Sequence, residues 1–244
     1  MTLSIAALFM IIFYAPDILS IQELPEEESG HAIRVLRHQA GDVIKVVDGE
    51  GTWYDCRITI AHPKHCAVEI ISSAPDKHWS YGVELVVAPT KNLDRMEWFL
   101  EKATEIGIDR FIPIKSRFSE RKELKTERMR KIAVSAMKQS LKATLPVIDE
   151  MTDIKKVIQE PFDGQKFIAH CMENSPRQLL SHLIESGKNV RILIGPEGDF
   201  SPEEVSLAIE NDYKPISLGE QRLRTETAAL ASVHTIHIIN ELGS

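Results

Sequence analysis

Cysteine is scarce in this chain of 244 residues, and none of its three cysteines stands in a C-x-x-C spacing. That scarcity excludes a disulfide scaffold, disfavours a zinc ribbon and is typical of the reducing cytosol. The run HPKHC, residues 62–66, falls in a single turn, and no second group of metal ligands accompanies it. We therefore predict a cytoplasmic protein without a metal site.

Positive charge is also in short supply, because 29 lysines and arginines face 36 aspartates and glutamates. A net charge of −7 argues on average against a nucleic-acid partner. Positive charge is unevenly distributed along the chain, since residues 110–146 hold eleven lysines and arginines against three glutamates. Such a patch is the electrostatic footprint expected of a protein that binds a phosphate backbone, and a solvated helix face is the alternative.

No apolar run approaches the roughly 20 residues of a membrane-spanning helix. The longest, LSIAALFMIIFYA, spans residues 3–15. We predict that residues 10–14 form a buried first strand preceded by an extension, Met1–Phe9, and we expect no association with a membrane. The alternative is a secretory signal peptide cleaved at or before Ala15, although no basic region precedes the run.

Apolar and polar residues alternate with period two between residues 42 and 71, with turn signals at DGEG (48–51) and HPKH (62–65). This pattern predicts a meander of three strands. One face of the middle strand is predicted to carry Tyr54, Cys56, Ile58 and Ile60. Together with the first strand the meander predicts a small barrel, followed by a linker at residues 72–80.

Beyond Tyr81, short apolar strands alternate with segments of helical periodicity. Strands are predicted at residues 84–89, 111–114, 166–171, 190–195 and 215–219, and helices at 93–107, around 129–136, around 176–186 and at 225–241. The alternation predicts a mainly parallel sheet with helices on both faces. We therefore expect an α/β fold, with a small domain at residues 10–75 and a larger one at 80–244.

The sequence ILIGPEGDFSPEEV predicts a buried strand that turns sharply into a helix. Ser201 and Glu204 are spaced for a capping box, with Pro202 at the first helical position. Gly195 and Gly198 permit tight turns and the close approach of a ligand, at the strand end where α/β sheets bind ligands. No phosphate-loop lysine follows, so the nearby carboxylates favour a cationic or hydroxyl-rich ligand. An ordinary strand–loop–helix corner is the alternative.

The sequence SLGEQRLRTETAAL predicts a second corner of the same kind. Arg222 and Arg224 precede Thr225, a plausible helix cap, and the free amides of a first helical turn can bind polar atoms of a ligand. The alternative role for the two arginines is a surface ion pair with Glu220 or Glu226.

The two glycine corners, in this order and close to the C-terminus, resemble the SPOUT methyltransferases. Among these the chain is most similar to the bacterial 16S rRNA uridine-N3 methyltransferases, the ribosomal RNA small subunit methyltransferase E family. The segments that carry the resemblance are HAIRVLRHQAGD, KATEIGIDRFIPIKSRFSER, KQSLKATLP, LIGPEGDFSPEE and LGEQRLRTETAAL. Two positions depart from the family: Asp199 stands where a glycine is common, and Lys142 where an arginine is common.

The resemblance implies a small N-terminal PUA-like β-barrel followed by a SPOUT α/β domain with a C-terminal trefoil knot. It implies S-adenosylmethionine as cofactor, a homodimer, and 16S rRNA or the small ribosomal subunit as partner. The cofactor would lie against residues 169–171 and against Leu193, Ile194, Gly195, Pro196, Glu197, Gly198, Leu218, Gly219, Leu223, Thr225, Thr227 and Ala228.

The implied reaction is direct methyl transfer to N3 of an unpaired uridine. We expect Arg224 to stabilise charge on the uracil oxygens and Arg222 to share this role or hold a phosphate. Glu226 is the nearest candidate for the base that removes the N3 proton, and a water molecule is the alternative. RNA contacts are expected at His31, Arg34, Arg37, Lys91, Arg117, Arg121, Lys138 and Lys142.

Two other functions stay open from the sequence. One is a SPOUT enzyme that methylates another RNA position, such as a ribose 2′-hydroxyl. The other is a nonenzymatic RNA-binding factor for ribosome assembly that uses only the barrel and the basic helix.

Overall fold

The computed structural model describes residues 10–172 and 176–243. The predicted extension, Met1–Phe9, lies outside the described residues. The described residues separate into two compact units, the first holding 10–78 and 134–145, and the second holding 79–133, 146–172 and 176–243. Residues 134–145 thus group with the first unit although they follow the predicted boundary, because Met137 and Ala143 share an apolar cluster with Ile12 and Val47.

The first unit is built on a four-stranded sheet. Its strands are β1 (Ile12–Tyr14), β2 (Val43–Val47), β3 (Thr52–Ile60) and β4 (Ala67–Pro75), and they lie in this order. β1 runs parallel to β2, whereas β2, β3 and β4 are antiparallel. Between β1 and β2 the chain forms α1 (Ile18–Ile21) and α2 (Glu26–Gly30), and α2 continues into a π-helical turn, His31–Val35.

The predicted meander is present, and its alternation decides which side chains form the core. Tyr54, Cys56 and Ile58, which were predicted to share one face of the middle strand, are all buried. Ile60, predicted on the same face, is exposed beyond a shift in register between Ile58 and Ile60. β4 continues to Pro75, so the predicted linker begins later than expected.

The second unit alternates strands and helices along the chain. Its elements are β5 (Val83–Val87), α3 (Leu93–Ile106), β6 (Arg110–Lys115), α4 (Thr126–Gln139, whose second half groups with the first unit), β7 (Val147–Ile148), β8 (Thr152–Asp153), α5 (Ile154–Gln159), β9 (Gln165–Ala169), β10 (Gln178–Leu179), α6 (Leu180–Leu183), β11 (Val190–Ile194), α7 (Pro202–Glu210), β12 (Lys214–Ser217) and α8 (Thr225–Leu242).

The strands of the second unit form one parallel sheet in the order β10-β12-β9-β11-β5-β6-β7, with β8 also paired to β6. Because β5 alternates, Leu85 and Val87 pack on one face with α3 and α8, while Val86 packs on the other face with α5 and α7. The predicted parallel sheet with helices on both faces is therefore confirmed.

The helix predicted around residues 176–186 is wrong in its extent. Gln178 and Leu179 are extended because they pair with Ile216 and Ser217 of β12. The helical part is α6 alone, and the chain is extended again at Ile184.

Within the two described ranges, every helix is too short or too polar to traverse a bilayer. In the same ranges no three histidine, cysteine, aspartate or glutamate side chains come together in a way that could hold a metal ion.

Candidate active site

The carboxyl ends of β9, β11 and β12 lie side by side, because these strands are neighbours in the parallel sheet. The segments that leave them line a cavity of about 460 Å³. Gly195, just after β11, and Gly219, just after β12, both lie on its wall. The volume falls within the range of small-molecule sites, at the sheet edge where α/β folds bind ligands.

The loop after β11 is held by hydrogen bonds to its own carboxylates. Asp199 has a φ of 65°, in the left-handed region that glycine adopts without strain. Its carboxylate accepts the backbone N–H of Phe200 at 2.8 Å and that of Cys171 at 2.7 Å. Glu197 accepts the N–H of Lys91 at 3.1 Å. Asp199 therefore ties the chain after β9 to the chain after β11.

The capping box predicted at the start of α7 is present. Ser201 Oγ accepts the N–H of Glu204 at 3.3 Å, and Glu204 Oε2 accepts the N–H of Ser201 at 2.8 Å. The other carboxylate oxygen of Glu204 accepts the N–H of Arg117 at 2.7 Å. The helix start and the loop after β6 are thus fixed by one buried side chain.

Replacing Ser201 by alanine is expected to lower the free energy of unfolding by about 1 kcal/mol, because α7 loses its N-cap acceptor. Ser206, exposed on the same helix, provides the matched control Ser206→Ala. Urea denaturation followed by circular dichroism measures both. Equal destabilisation by the two substitutions would contradict the capping role.

The loop after β12 begins with a tight turn. Ser217 Oγ donates to the carbonyl oxygen of Gly219 at 2.9 Å and accepts its N–H at 3.2 Å. Gly219 has a φ of 127°, and no heavy atom lies within 4 Å of the position that a Cβ would take. Glycine is therefore required by the backbone and leaves space free beside it.

One hydrogen bond joins the two glycine corners. Thr225, at the start of α8, is buried, and its Oγ1 donates to the carbonyl oxygen of Gly195 at 3.0 Å. From β12 the chain passes β9 and reaches α8, which packs on β5 and β11. The two corners therefore form one cavity, although they are separated in sequence by α7 and β12.

Most of the predicted cofactor-binding residues line this cavity. They are Ile194, Gly195, Pro196, Glu197, Leu218, Gly219, Leu223, Thr225 and Ala228. Three others lie elsewhere. Leu193 points to the opposite face of the sheet because strand residues alternate. Gly198 faces Phe118, and Thr227 lines a neighbouring cavity.

Part of the wall was found only in the structure. The lining residues that were not predicted to contact the cofactor are Arg177, Asp199, Ile216, Ser217 and Gln221, whereas residues 169–171, which also line the cavity, are implied by the resemblance. Ile216 and Ser217 lie at the carboxyl end of β12. This position at the ligand-binding edge of the sheet was the signal that could have predicted their place on the cavity wall. Arg177 gave no such signal, because its place on the wall depends on a hydrogen bond from its guanidinium to the carbonyl oxygen of His170.

His170 is a buried histidine on the same wall. Its Nδ1 accepts the N–H of Met172 at 3.3 Å. Burial lowers the pKa of the His170 imidazole, so the ring is held neutral near physiological pH.

Arg222 and Arg224 are exposed and line both this cavity and a neighbouring one of about 610 Å³. Among the described residues, neither guanidinium has an ion-pair partner, so the alternative of a surface ion pair is not observed. Glu226 is buried and pairs instead with Arg95, at 3.8 Å between Oε1 and Nε. The three candidate catalytic side chains are thus gathered around the neighbouring cavity.

The predicted RNA-binding residues of the second unit lie on its surface. Lys91 pairs with Glu120 at 2.8 Å, and this contact raises the pKa of the lysine. Arg121 donates to the carbonyl oxygens of Thr90 and Lys91, at 3.1 and 2.7 Å. Arg117 is exposed on a groove of about 710 Å³. Other basic residues on that groove are Lys115, Lys122 and Lys155.

In the first unit, two of the predicted RNA-binding residues surround Phe13. The ring of His31 lies 6.0 Å from the Phe13 ring, between centroids, and Lys138 Nζ lies 5.9 Å from the same centroid. Lys138 also forms an ion pair with the buried carboxylate of Glu28. The other three are exposed or half-buried: Arg34, Arg37 and Lys142. Contact of all these residues with RNA stays a prediction.

Comparison with known proteins places the chain in a family. Residues 77–237 match the model of an RNA methyltransferase domain, and residues 24–71 match that of an RNA methyltransferase PUA domain. The ribosomal RNA small subunit methyltransferase E of Bacillus subtilis is 28% identical over 229 residues, which cover 88% of this chain and 89% of the relative.

Two crystal structures are similar over nearly the whole chain. A probable rRNA-methyltransferase from Porphyromonas gingivalis has 45% identity and a TM-score of 0.92, with 96% of this chain and 100% of that chain covered. The ribosomal RNA small subunit methyltransferase E of Neisseria gonorrhoeae, bound to S-adenosyl methionine, has 26% identity and a TM-score of 0.82, with 94% and 98% covered. The chain therefore belongs to the RNA methyltransferase family, together with the ribosomal RNA small subunit methyltransferase E proteins.

Proposed function

We propose that this protein transfers a methyl group from S-adenosylmethionine to N3 of a specific uridine in the 16S RNA of the small ribosomal subunit. The observation that carries the proposal is the 460 Å³ cavity in which the two glycine corners meet. Arg222 and Arg224 lie on its wall and have no ion-pair partner in the described chain. The relatives named as small subunit rRNA methyltransferases support the reaction class.

The lining of the cavity suits S-adenosylmethionine. Backbone groups and small residues, such as Gly195, Gly219 and Ala228, permit close contact with an adenosine. Glu197 and Asp199 are compatible with a positively charged sulfur, whereas they would repel a phosphate. Bound there, S-adenosylmethionine would supply an electrophilic methyl group activated by a sulfonium.

The chain's own residues then act on the uridine. We assign to the Glu226 carboxylate the removal of the N3 proton, which leaves a lone pair on N3 as the nucleophile. Arg95, at 3.8 Å, holds that carboxylate in place. As the proton leaves, negative charge spreads onto the uracil oxygens. Arg224 donates hydrogen bonds to them and so stabilises the transition state.

The uridine must be unpaired or turned out of its helix, because pairing hides the N3 edge. Arg222 is proposed to hold a neighbouring phosphate and thereby keep the base in place. Holding both reactants in one geometry can contribute about 7–11 kcal/mol to lowering the barrier in favourable cases. Basic residues on both units, including Arg34, Arg37 and Arg117, are proposed to bind the RNA backbone.

We further propose that the sheet of the first unit belongs to a PUA-like barrel and that the C-terminal part of the second unit is a trefoil knot. The proposed domains extend over residues 10–75 and 80–244. The path from β12 past β9 to α8, with the hydrogen bond from Thr225 to Gly195, supports a threaded chain end.

Exposed Ile238 and Leu242 on α8 support a homodimer. An rRNA substrate is consistent with a cytoplasmic location.

The test is to incubate the purified protein with S-adenosylmethionine and small ribosomal subunits from cells that lack this methyltransferase. Nucleoside mass spectrometry is expected to detect N3-methyluridine at a single site, with naked 16S RNA as the comparison substrate. A ribose 2′-O-methyl product would contradict the N3 assignment. Absence of both a methylated product and calorimetric binding of S-adenosylmethionine would contradict the enzymatic function and favour an assembly factor.

A further inference from the structure

Trp98 is an exposed tryptophan on the wall of the 610 Å³ cavity next to the proposed cofactor site. The buried face of α3 is formed by Met96, Phe99, Leu100 and Ala103, and Trp98 lies off that face. Its side chain is 46% exposed. Packing of the core therefore does not explain a large aromatic residue at this position.

The cavity joins an aromatic surface to charged groups of both signs. Asp94, Arg95 and Trp98 of α3 form one side, and the start of α8 with the loop before it forms the other. Arg222 and Arg224 also line the cofactor cavity, so the two cavities share a wall. A ligand here would lie beside the proposed methyl donor.

We propose that Trp98 is the stacking surface for the target uracil, so that it positions the base against Arg224 and Glu226. Unpaired bases bind proteins by stacking on aromatic side chains, which supply a large flat contact irrespective of sequence. The cavity is lined by one such side chain and by both proposed catalytic groups. This inference rests on the proposed function and adds the residue that holds the base.

The charged groups of the cavity also match uracil better than cytosine. A guanidinium only donates hydrogen bonds, and an ionised carboxylate only accepts them. Uracil presents an N3–H donor between two carbonyl acceptors, which fits the Glu226 carboxylate with Arg95 and Arg224 as donors. Cytosine presents an unprotonated N3 and an amino donor, so its N3 lone pair would face the carboxylate. The base bound against Trp98 is therefore expected to be uracil.

The first experiment compares Trp98→Ala and Trp98→Phe in methyl transfer to small ribosomal subunits. Trp98→Ala is expected to raise KM for the subunits roughly ten- to a hundredfold, the range that loss of one stacked base gives. Trp98→Phe retains an aromatic ring and is expected to stay within a few-fold of the wild type. The calorimetric affinity for S-adenosylmethionine should be the same in all three proteins. An unchanged KM in Trp98→Ala would overturn the proposal.

The second experiment uses the fluorescence of Trp98, obtained by subtracting the emission of Trp98→Phe from that of the wild type. Oligouridylate is expected to quench this emission more strongly than oligocytidylate. No quenching, or equal quenching by both, would overturn the proposal even if Trp98→Ala failed to fold. Because this readout needs no methyl transfer, it remains informative if the wild type proves inactive and the proposed function fails.

A second copy of the chain is the competing occupant of this surface. Sedimentation of the wild type and of Trp98→Ala separates the two cases, because a stacking residue can be removed without changing the oligomeric state. Dissociation of the Trp98→Ala protein into smaller species would overturn the proposal and assign Trp98 to a subunit interface.

Discussion

Arg224→Ala is expected to lower kcat for methyl transfer by about 10²- to 10³-fold, the effect of removing one donor that stabilises developing negative charge. The Arg224 guanidinium lines both cavities and has no ion-pair partner within the described ranges, so its hydrogen bonds are available to a substrate. In its absence the charge that develops on the uracil oxygens loses a charged hydrogen-bond donor. Single-turnover assays at saturating S-adenosylmethionine measure the change directly.

Two controls separate this role from general effects. S-adenosylmethionine should bind Arg224→Ala with nearly wild-type affinity, because we propose that backbone groups of the two glycine corners hold the cofactor. Arg130→Ala removes an exposed arginine from α4, outside both cavities, and should leave kcat unchanged. Full activity of Arg224→Ala with intact cofactor binding would remove this side chain from the mechanism.

Ala228→Leu is expected to weaken the binding of S-adenosylmethionine by about ten- to a hundredfold, the cost of adding bulk to a filled space. Ala228 lies on α8 and lines the 460 Å³ cavity, so a leucine side chain there would extend into the space proposed for the cofactor. Isothermal titration calorimetry measures the dissociation constant, and the melting temperature checks that the fold is retained.

The matched control is Ala231→Leu, which makes the same change on α8 at a half-buried position outside the cavity wall. It should bind the cofactor as the wild type does. If Ala228→Leu also bound S-adenosylmethionine normally, the cofactor would have to lie somewhere other than this cavity.

The layered α/β architecture could be predicted from the sequence because its signals are local. The run VRILI has the composition of a strand buried on both faces, and the spacing of Met96, Phe99 and Leu100 is that of a helix with one apolar side. SPEE carries a complete helix start in four residues. Each of these features depends on neighbours in the chain, and each is found in the structure.

Features that depend on distant partners could not be predicted in this way. Arg191 lies inside the buried strand β11, and only the structure reveals its partner, Glu84, at 2.7 Å between Nε and Oε2. The pairing of Glu226 with Arg95 likewise joins α8 to α3. The extended backbone at Gln178 comes from pairing with β12, which overrides the local preference.

The candidate site was predictable only where its signals are local in the sequence. Glycines at strand ends mark both corners, but the hydrogen bond between Thr225 and Gly195 that joins them spans thirty positions of sequence. The strand order that brings β9 between β11 and β12 is a property of the whole sheet. The residues of each corner could therefore be predicted locally, whereas their meeting in one cavity was implied only by the family resemblance and depends on the whole fold.

The most direct test of this account is a crystal structure of the protein grown with S-adenosylhomocysteine, the demethylated form of the proposed cofactor. We expect the ligand between the chain after β11 and the chain after β12, in contact with Gly195 and Gly219 and with its sulfur facing Arg224. Ligand bound at another surface, or a cavity filled by its own apolar side chains, would contradict the account.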